Sequence, residues 1–345
     1  MAVVEGAPSR RRASQIGWRA AGAFLRQREA SIFLVAVALV LFFELKSNAF
    51  LGSDNIKNVT ESMSPFALIA AGEVMLLICG EIDLAVGRTF AFAPAIVWLI
   101  SSPDKHHLPI WLGVIVALVL SAAVGLVNGV VTTLLRVPSF ITTLAMLYLL
   151  NGITLHLLSG SQQFMPGGPT FQNIFGSQPD HYFLWLNSEF YWAAGLVLLV
   201  QFVLWWTRFG LHTFATGGNL LGASEAGVNV RAVKVVNFVL VNVLAGFAGI
   251  LDSTRVTTIV PLQGGPDYMF FAVAGAVIGG TSLFGGVGTV IGSFIGVGVL
   301  TILQTGFNIL GYSAFTFPII IGLAILLSMV ATVQFARLRN LGRFQ

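Results

Sequence analysis

Charged side chains are scarce in this chain: Asp, Glu, Lys and Arg make up 9% of its 345 residues, against roughly a quarter in an ordinary soluble domain. Residues of apolar type supply 56%, and mean hydropathy is +0.87. That balance excludes a water-soluble globular protein. One cysteine, Cys79, excludes an intrachain disulfide and reads as helix packing. His106, His107, His156, His181 and His212 are scattered without ligand spacing, so no metal site is expected. None of Lys46, Lys57, Lys105 or Lys234 follows a glycine, which excludes a Walker A loop and nucleotide binding by that route. No nucleophile with its base and no pair of acids is spaced for catalysis, and an enzyme is not expected.

What the chain holds instead is a series of apolar runs. A hydrocarbon core about 30 Å thick takes roughly 20 apolar residues per helical crossing, and the weak alternation of barrel strands is missing. The expected fold is an all-α polytopic membrane protein with about ten transmembrane helices, near 30–45, 64–80, 84–101, 108–135, 139–159, 190–207, 233–254, 268–283, 286–308 and 312–333. A basic cytoplasmic segment over 1–29, a transmembrane domain over 30–335 and a cytoplasmic tail over 336–345 follow from those bounds. Of the 18 Lys and Arg residues only Lys46, Lys57, Lys105 and Arg255 fall outside if the N-terminus is inside, the bias that cations show toward the cytoplasm. Both termini are then cytoplasmic. Trp98, Trp111, Trp185, Trp192, Trp205 and Trp206 fall near the ends of crossings, as an aromatic belt requires. Ile16, Ala20, Phe24 and Leu25 recur at helical spacing among arginines, which fits either a helix on the inner leaflet or a basic tail.

Two polar islands interrupt the apolar pattern. "LLICGEIDLAVGRTFAF", 76–92, places Glu81, Asp83 and Arg88 at the cytoplasmic end of a tight helical hairpin, where charge is cheaper than at the bilayer centre. Asp83 there can cap the helix that follows; the hairpin can equally be a moving or partner-contacting element. Glu73 lies in mid-span and must face protein or a water-filled cavity, as a packing residue or as part of a path. "FGLHTFATGGNLLGASEAGVNVRAVK", 209–234, reads as a turn at Gly217, Gly218 and Asn219, a short helix through Leu221, Glu225 and Ala226, a stop at Gly227, and a new span opened by Arg231 and Lys234. Further on, Gly275 and Gly279, then Gly288, Gly292 and Gly296, recur every four residues, the spacing of helices that pack closely.

Taken together, "GEIDLAVG" (80–87), "RVPSFITTLAMLYLLNGI" (136–153), "GGNLLGASEAGVNVRAVK" (217–234) and "GGTSLFGGVGTVIGSFIG" (279–296) occur in the order of the sugar-importing ABC permeases. The chain resembles that family from about residue 30 onward. The resemblance implies a ten-helix subunit of a bacterial inner membrane, paired with itself or a paralogue. It implies two ABC ATPase domains that carry ATP and Mg, an extracytoplasmic sugar-binding protein, contact with membrane lipid, and no nucleic acid; this chain itself binds no cofactor. It makes the loop near 208–232 the ATPase-coupling element, with Gly217, Gly218, Asn219, Glu225, Ala226, Gly227, Val228, Asn229, Arg231 and Lys234. Candidates for the path or gate are Glu73, Asp83, Phe140, Thr142, Asn151, Phe270 and Phe271. Where many relatives carry acidic residues this chain has Met269, Phe270 and Phe271, a more apolar segment. A single-chain secondary transporter or channel for a small polar solute is the alternative; it calls for ionisable mid-span residues in both halves, and only Glu73 qualifies.

A cysteine placed at Gln172 is expected to react with an impermeant reagent from outside, and one at Asn219 only from inside. Labelling of both from the same side overturns the ten-crossing arrangement.

Overall fold

The computed structural model describes residues 28–176 and 186–320, with 322, 323, 326 and 330 of the last apolar run. The basic segment up to residue 27 with its Ile16–Leu25 pattern, Trp185 and the tail over 336–345 lie outside the described residues. The described chain is mostly helical: α1 (Arg28–Lys46), α2 (Ser53–Ile78), α3 (Val86–Ser101), α4 (Ile110–Thr133), α5 (Ser139–Leu157), α6 (Pro169–Phe175), α7 (Ser188–Trp206), α8 (Arg208–Gly218), α9 (Leu220–Glu225), α10 (Val230–Arg255), α11 (Pro266–Ile278) and α12 (Val290–Ile309). Among the described residues six helices, α2, α4, α5, α7, α10 and α12, are long and apolar enough to cross a membrane.

Three features depart from the sequence expectation. Helix α2 starts at Ser53, well before the apolar run at residue 64, because "SDNIKNVTES" continues the helix on polar residues. Gly217 and Gly218 are not a turn but the last residues of α8, and the break falls at Asn219. The fold is also not purely helical: β1 (Gln163–Phe164) pairs antiparallel with β2 (Thr258–Ile259), tying the chain after α5 to the chain after α10.

Helices α2 and α10 form the centre. Helix α10 packs on α2, α3 and α4, while α2 also meets α7, α11 and α12. From Met63 to Ile78 almost every residue of α2 is buried. Small residues let these backbones approach: a Cβ at Gly72 would stand 2.7 Å from the Val241 Cα. The same holds for the glycine-rich pair α11–α12, where a Cβ on Gly292 or Gly279 would overlap the other's backbone, and one on Gly296 or Gly275 would press into the facing helix. Gly288 instead faces the Ile78 side chain. The amide of Gln201, on α7, accepts from the Val290 and Ile291 N–H groups at 2.8 and 3.0 Å, satisfying donors that the start of α12 leaves without helical partners.

Helices α3 and α11 are short, 16 and 13 residues, or about 24 and 20 Å at 1.5 Å per residue. Neither spans a 30 Å hydrocarbon core alone. Their N-termini meet, with Gly265 N–H donating to the Gly87 carbonyl at 3.0 Å. Each flanks a hairpin that closes in the same way: Gly80 (φ 76°) donates to Leu77 and Glu81 to Leu76, while Gly280 (φ 90°) donates to Val277 and Thr281 to Ala276. These are Schellman ends, for which glycine supplies the left-handed residue. The hairpins touch where Gly286 N–H donates to the Ile78 carbonyl at 2.8 Å.

Replacing Gly292 by Leu is expected to force α11 and α12 apart, lowering the melting temperature in detergent and the yield of folded protein. Wild-type melting would mean that this face tolerates a side chain and the close packing does not matter.

Candidate functional site

The 79–85 segment folds around one carboxylate. Asp83 is fully buried; its Oδ1 accepts from the Ala85 N–H at 2.8 Å, and its Oδ2 from Asn242 Nδ2 at 2.7 Å and Asn128 Nδ2 at 3.0 Å. Thr89 Oγ1 completes the set by donating to Asn242 Oδ1 at 2.7 Å. Asp83 therefore satisfies the turn itself rather than the first N–H groups of α3, and it fastens the turn to α4 and α10. The expectation of charge made cheap by a place at the end of the hairpin is corrected for Asp83: the carboxylate is fully buried among protein donors. Glu81 does reach a partially exposed position, paired with Lys234 at 2.5 Å. Arg88 is drawn in against the start of α11, where a Cβ on Gly265 would stand 3.0 Å from its guanidinium. Glu73 is fully buried and makes no side-chain hydrogen bond. Cys79 is buried too, accepting from Asn237 Nδ2 at 3.1 Å.

At the other end of α10 a second polar cluster gathers around Arg255. Its guanidinium lies 2.6 Å from Asp252, 2.9 Å from Glu189 and 3.5 Å from Glu61, joining α10, α7 and α2. Asn187 donates to Glu61 as well, and Gln263 Nε2 donates to Asp252 Oδ2 at 2.7 Å. This cluster borders a cavity of about 610 Å³ lined by Phe66, Asp252, Arg255, Gln263, Tyr268 and Phe271, with Phe317 and Gln304 beyond. The rings form a continuous wall: Phe66 lies 4.2 Å from Phe271 and 4.8 Å from Tyr268, centroid to centroid. A concave apolar surface with a few converging carboxylate, amide and guanidinium groups can hold a small polar solute by its edges while its faces rest on rings.

The structure brings together only some of the sequence candidates. Phe270 and Phe271 line the Arg255 cavity. Phe140, Thr142 and Asn151 lie on α5, away from both that cavity and a second one beside α9. Phe140 is exposed and Thr142 buried. Glu73 lines neither cavity. Asp252, Arg255, Gln263, Glu61 and Glu189 were not among the candidates, although Asp252 and Arg255, one helical turn apart at the end of an apolar run, carried a signal. Asn128 and Asn242 carried another, as amides set inside apolar runs.

The 208–234 segment is built to be stiff. Thr207 Oγ1 caps α8 by accepting from Gly210, Asn219 Oδ1 caps α9 by accepting from Gly222 at 3.0 Å, and Asn229 Oδ1 caps α10 by accepting from Ala232 at 3.1 Å. Helix α9 ends through Gly227 (φ 84°) and the Val228 N–H to Ala223 carbonyl bond at 3.0 Å. Glu225, Ala226, Gly227 and Asn229 are exposed, Val228 half-buried. Gly217 sits so close to Ile78 and Gly286 that a Cβ there would overlap backbone, so the end of α8, from which α9 follows directly, rests on the tips of both hairpins.

A family model described as the permease component of a branched-chain amino acid transport system matches residues 55–329. The chain is 36% identical over 310 residues to the xylose/arabinose import permease protein of Sulfolobus acidocaldarius, covering 89% of this chain and 85% of that one. It is 33% identical over 307 residues to the ribose import permease protein of Escherichia coli K12, covering 89% and 93%. It is 30% identical over 318 residues to the autoinducer 2 import system permease protein of Salmonella typhi, covering 92% and 89%. No solved structure matches the chain.

Asp83→Ala is expected to leave the Asn128 and Asn242 amides and the Ala85 N–H without their acceptor in a buried site, at a cost of about 3 kcal/mol or more. A clear drop in detergent melting temperature is the readout; an unchanged value would mean that the hub does not hold the turn.

Proposed function

Because the chain belongs to the membrane permease family whose model covers residues 55–329, we propose that it is the transmembrane subunit of an ATP-binding cassette importer for a monosaccharide or a related polyol. Two of the relatives cited above are named for pentoses, which supports the sugar class and leaves the individual sugar open. In this reading the chain crosses a bacterial inner membrane ten times with both termini in the cytoplasm. It pairs with a second permease, itself or a paralogue, to form one pathway. Two ATPase domains, with their ATP and Mg, dock on the α9 side, and an extracytoplasmic binding protein delivers the solute to the Arg255 side.

The observation that carries the reading is the capped, glycine-bounded helix α9, joined at Asn219 to α8, whose end at Gly217 is seated on both hairpin tips. A partner that moves on ATP can push the membrane helices only through a stiff contact; a loose loop would bend instead. Movement of α9 is passed to the Ile78–Gly80 and Gly285–Gly286 tips, and through them to α3 and α11, the short helices whose N-termini abut. Helices interrupted inside a membrane protein commonly border the transported solute. On the far side the solute's hydroxyls meet Asp252 and Gln263, and its apolar faces meet Phe66, Tyr268 and Phe271.

Uptake by the reconstituted complex, assayed with pentoses, hexoses and polyols, identifies the solute; no uptake of any of them would overturn the sugar class. Coupling is tested by two variants. Gly227→Pro fixes φ near −65° where the chain needs +84° and removes the N–H that bonds Ser224 at 3.0 Å, so it is expected to misaim α9. Glu225→Lys reverses one exposed charge. Both are expected to insert normally, and both to lose uptake and the stimulation of ATP hydrolysis by loaded binding protein; Glu225→Lys is also expected to weaken ATPase co-purification. Wild-type transport by both variants would make α9 a mere connector.

A further inference from the structure

A second cavity, of about 440 Å³, opens where the end of α4, the short helix α9 and the first turns of α10 come together. Its walls carry three cations, Arg136, Arg231 and Lys234, and one carboxylate, Glu81. Lys234 and Glu81 neutralise each other at 2.5 Å. Arg136 and Arg231 have no ion-pair partner among the described residues, so the cavity keeps two free positive charges. The positive end of the 26-residue α10 dipole adds to them, since Val230 lies in the wall.

The inner wall holds a second, independent sign of a ligand. Thr132 is 9% exposed and its hydroxyl has no hydrogen-bond partner. Its neighbour Thr133 has already given its proton to the Gly129 carbonyl at 2.7 Å. Thr132 thus places an uncommitted hydroxyl at the side of a cationic cavity. Apolar side chains accompany the charges: Leu220 and Leu221, in the cavity wall, are 48% and 75% exposed, and Leu134 and Leu135, which lie in the chain between Thr133 and Arg136 of that wall, are 54% and 69% exposed.

We propose that this cavity binds the headgroup phosphate of an anionic phospholipid, with Arg136 and Arg231 on its oxygens, the Thr132 hydroxyl donating from the inner wall, and the acyl chains laid along Leu134 and Leu135. A soluble phosphate would gain nothing from the leucines. A carboxylate of a docked protein could reach the arginines, but by itself it would likewise gain nothing from the leucines exposed at the end of α4. Basic pockets between membrane helices recognise lipid phosphate by this combination of guanidinium and hydroxyl donors. Because α9 forms one wall, an occupied site braces the element that the transport reading uses for coupling. The lipid site rests on the membrane reading of the bundle, not on the identity of the solute.

The test is lipid retention by the purified full chain, measured by native mass spectrometry after incubation with phosphatidylglycerol or phosphatidylcholine. Wild type is expected to retain phosphatidylglycerol preferentially. Arg136→Gln combined with Arg231→Gln is expected to lower that preference about twenty-five-fold, from about fivefold per arginine near the membrane surface, and Thr132→Val to lower it a few-fold. The Arg136→Lys, Arg231→Lys chain keeps both charges and is expected to retain most of it, which separates lost charge from lost folding. Equal retention of phosphatidylglycerol by wild type and the Gln pair overturns the proposal. Complete displacement by inorganic phosphate at equal concentration would make this a free-anion site, and loss of the lipid on adding the ATPase partner would make it a protein contact; either result overturns the lipid assignment.

Discussion

A carboxylate that keeps its charge in the middle of an apolar bundle has to be surrounded by donors or it destabilises the fold by several kcal/mol. Asp83 meets that constraint with a backbone N–H and two asparagine amides drawn from three separate stretches of chain, and much of the architecture follows. The turn after α2 cannot slide, because it is fastened to α4 and α10 at once. With the turn fixed, α3 has to begin deep in the bundle beside Gly265, and the start of α11 is placed by the same contact. The two short helices are in this sense a consequence of one buried charge.

That constraint was half legible in the sequence. Asp83 stood out as an acid in an apolar run, and its role in a turn could be read from the glycines on either side. Its partners could not: Asn128 and Asn242 are 45 and 159 residues away, and an amide inside a hydrophobic span announces a hydrogen bond without naming the acceptor. The same limit hid the Arg255 cluster, whose carboxylates come from three helices. Hydropathy located the long helices but misplaced the start of α2, since "SDNIKNVTES" is helical without being apolar. It also missed α8, where "RFGLHTFATGG" mixes glycine and threonine into a short helix whose stability comes from a Thr207 cap and from packing on Ile78. A strand of two residues leaves no period to detect, so the β1–β2 pair had no signal at all.

The glycines do two different kinds of work here. Gly80, Gly227 and Gly280 supply left-handed backbone at the ends of helices. Gly72, Gly217, Gly279 and Gly292 have no conformational need of that kind; they are small because another backbone occupies the space a side chain would take. The four-residue spacing visible in the sequence belongs to the second kind. Together they bring α2 and α10, α11 and α12, and the two hairpin tips backbone against backbone, contacts that transmit displacement with little side-chain slack.

The Arg255 cluster has a consequence for which molecules can approach that end of the bundle. Three carboxylates share one guanidinium, and Asp267 adds another acid to the cavity wall. At formal charges the acids of this cluster and Asp267 outnumber Arg255, so the cavity wall is negative in a setting where low dielectric lengthens the reach of that field. A neutral ring compound meets no electrostatic cost at such a wall, whereas a phosphate ester is repelled before it reaches the aromatic rings. Under the transport reading, such a cavity sorts solutes by charge ahead of shape, and would separate a free sugar from its phosphorylated form without a residue devoted to telling them apart.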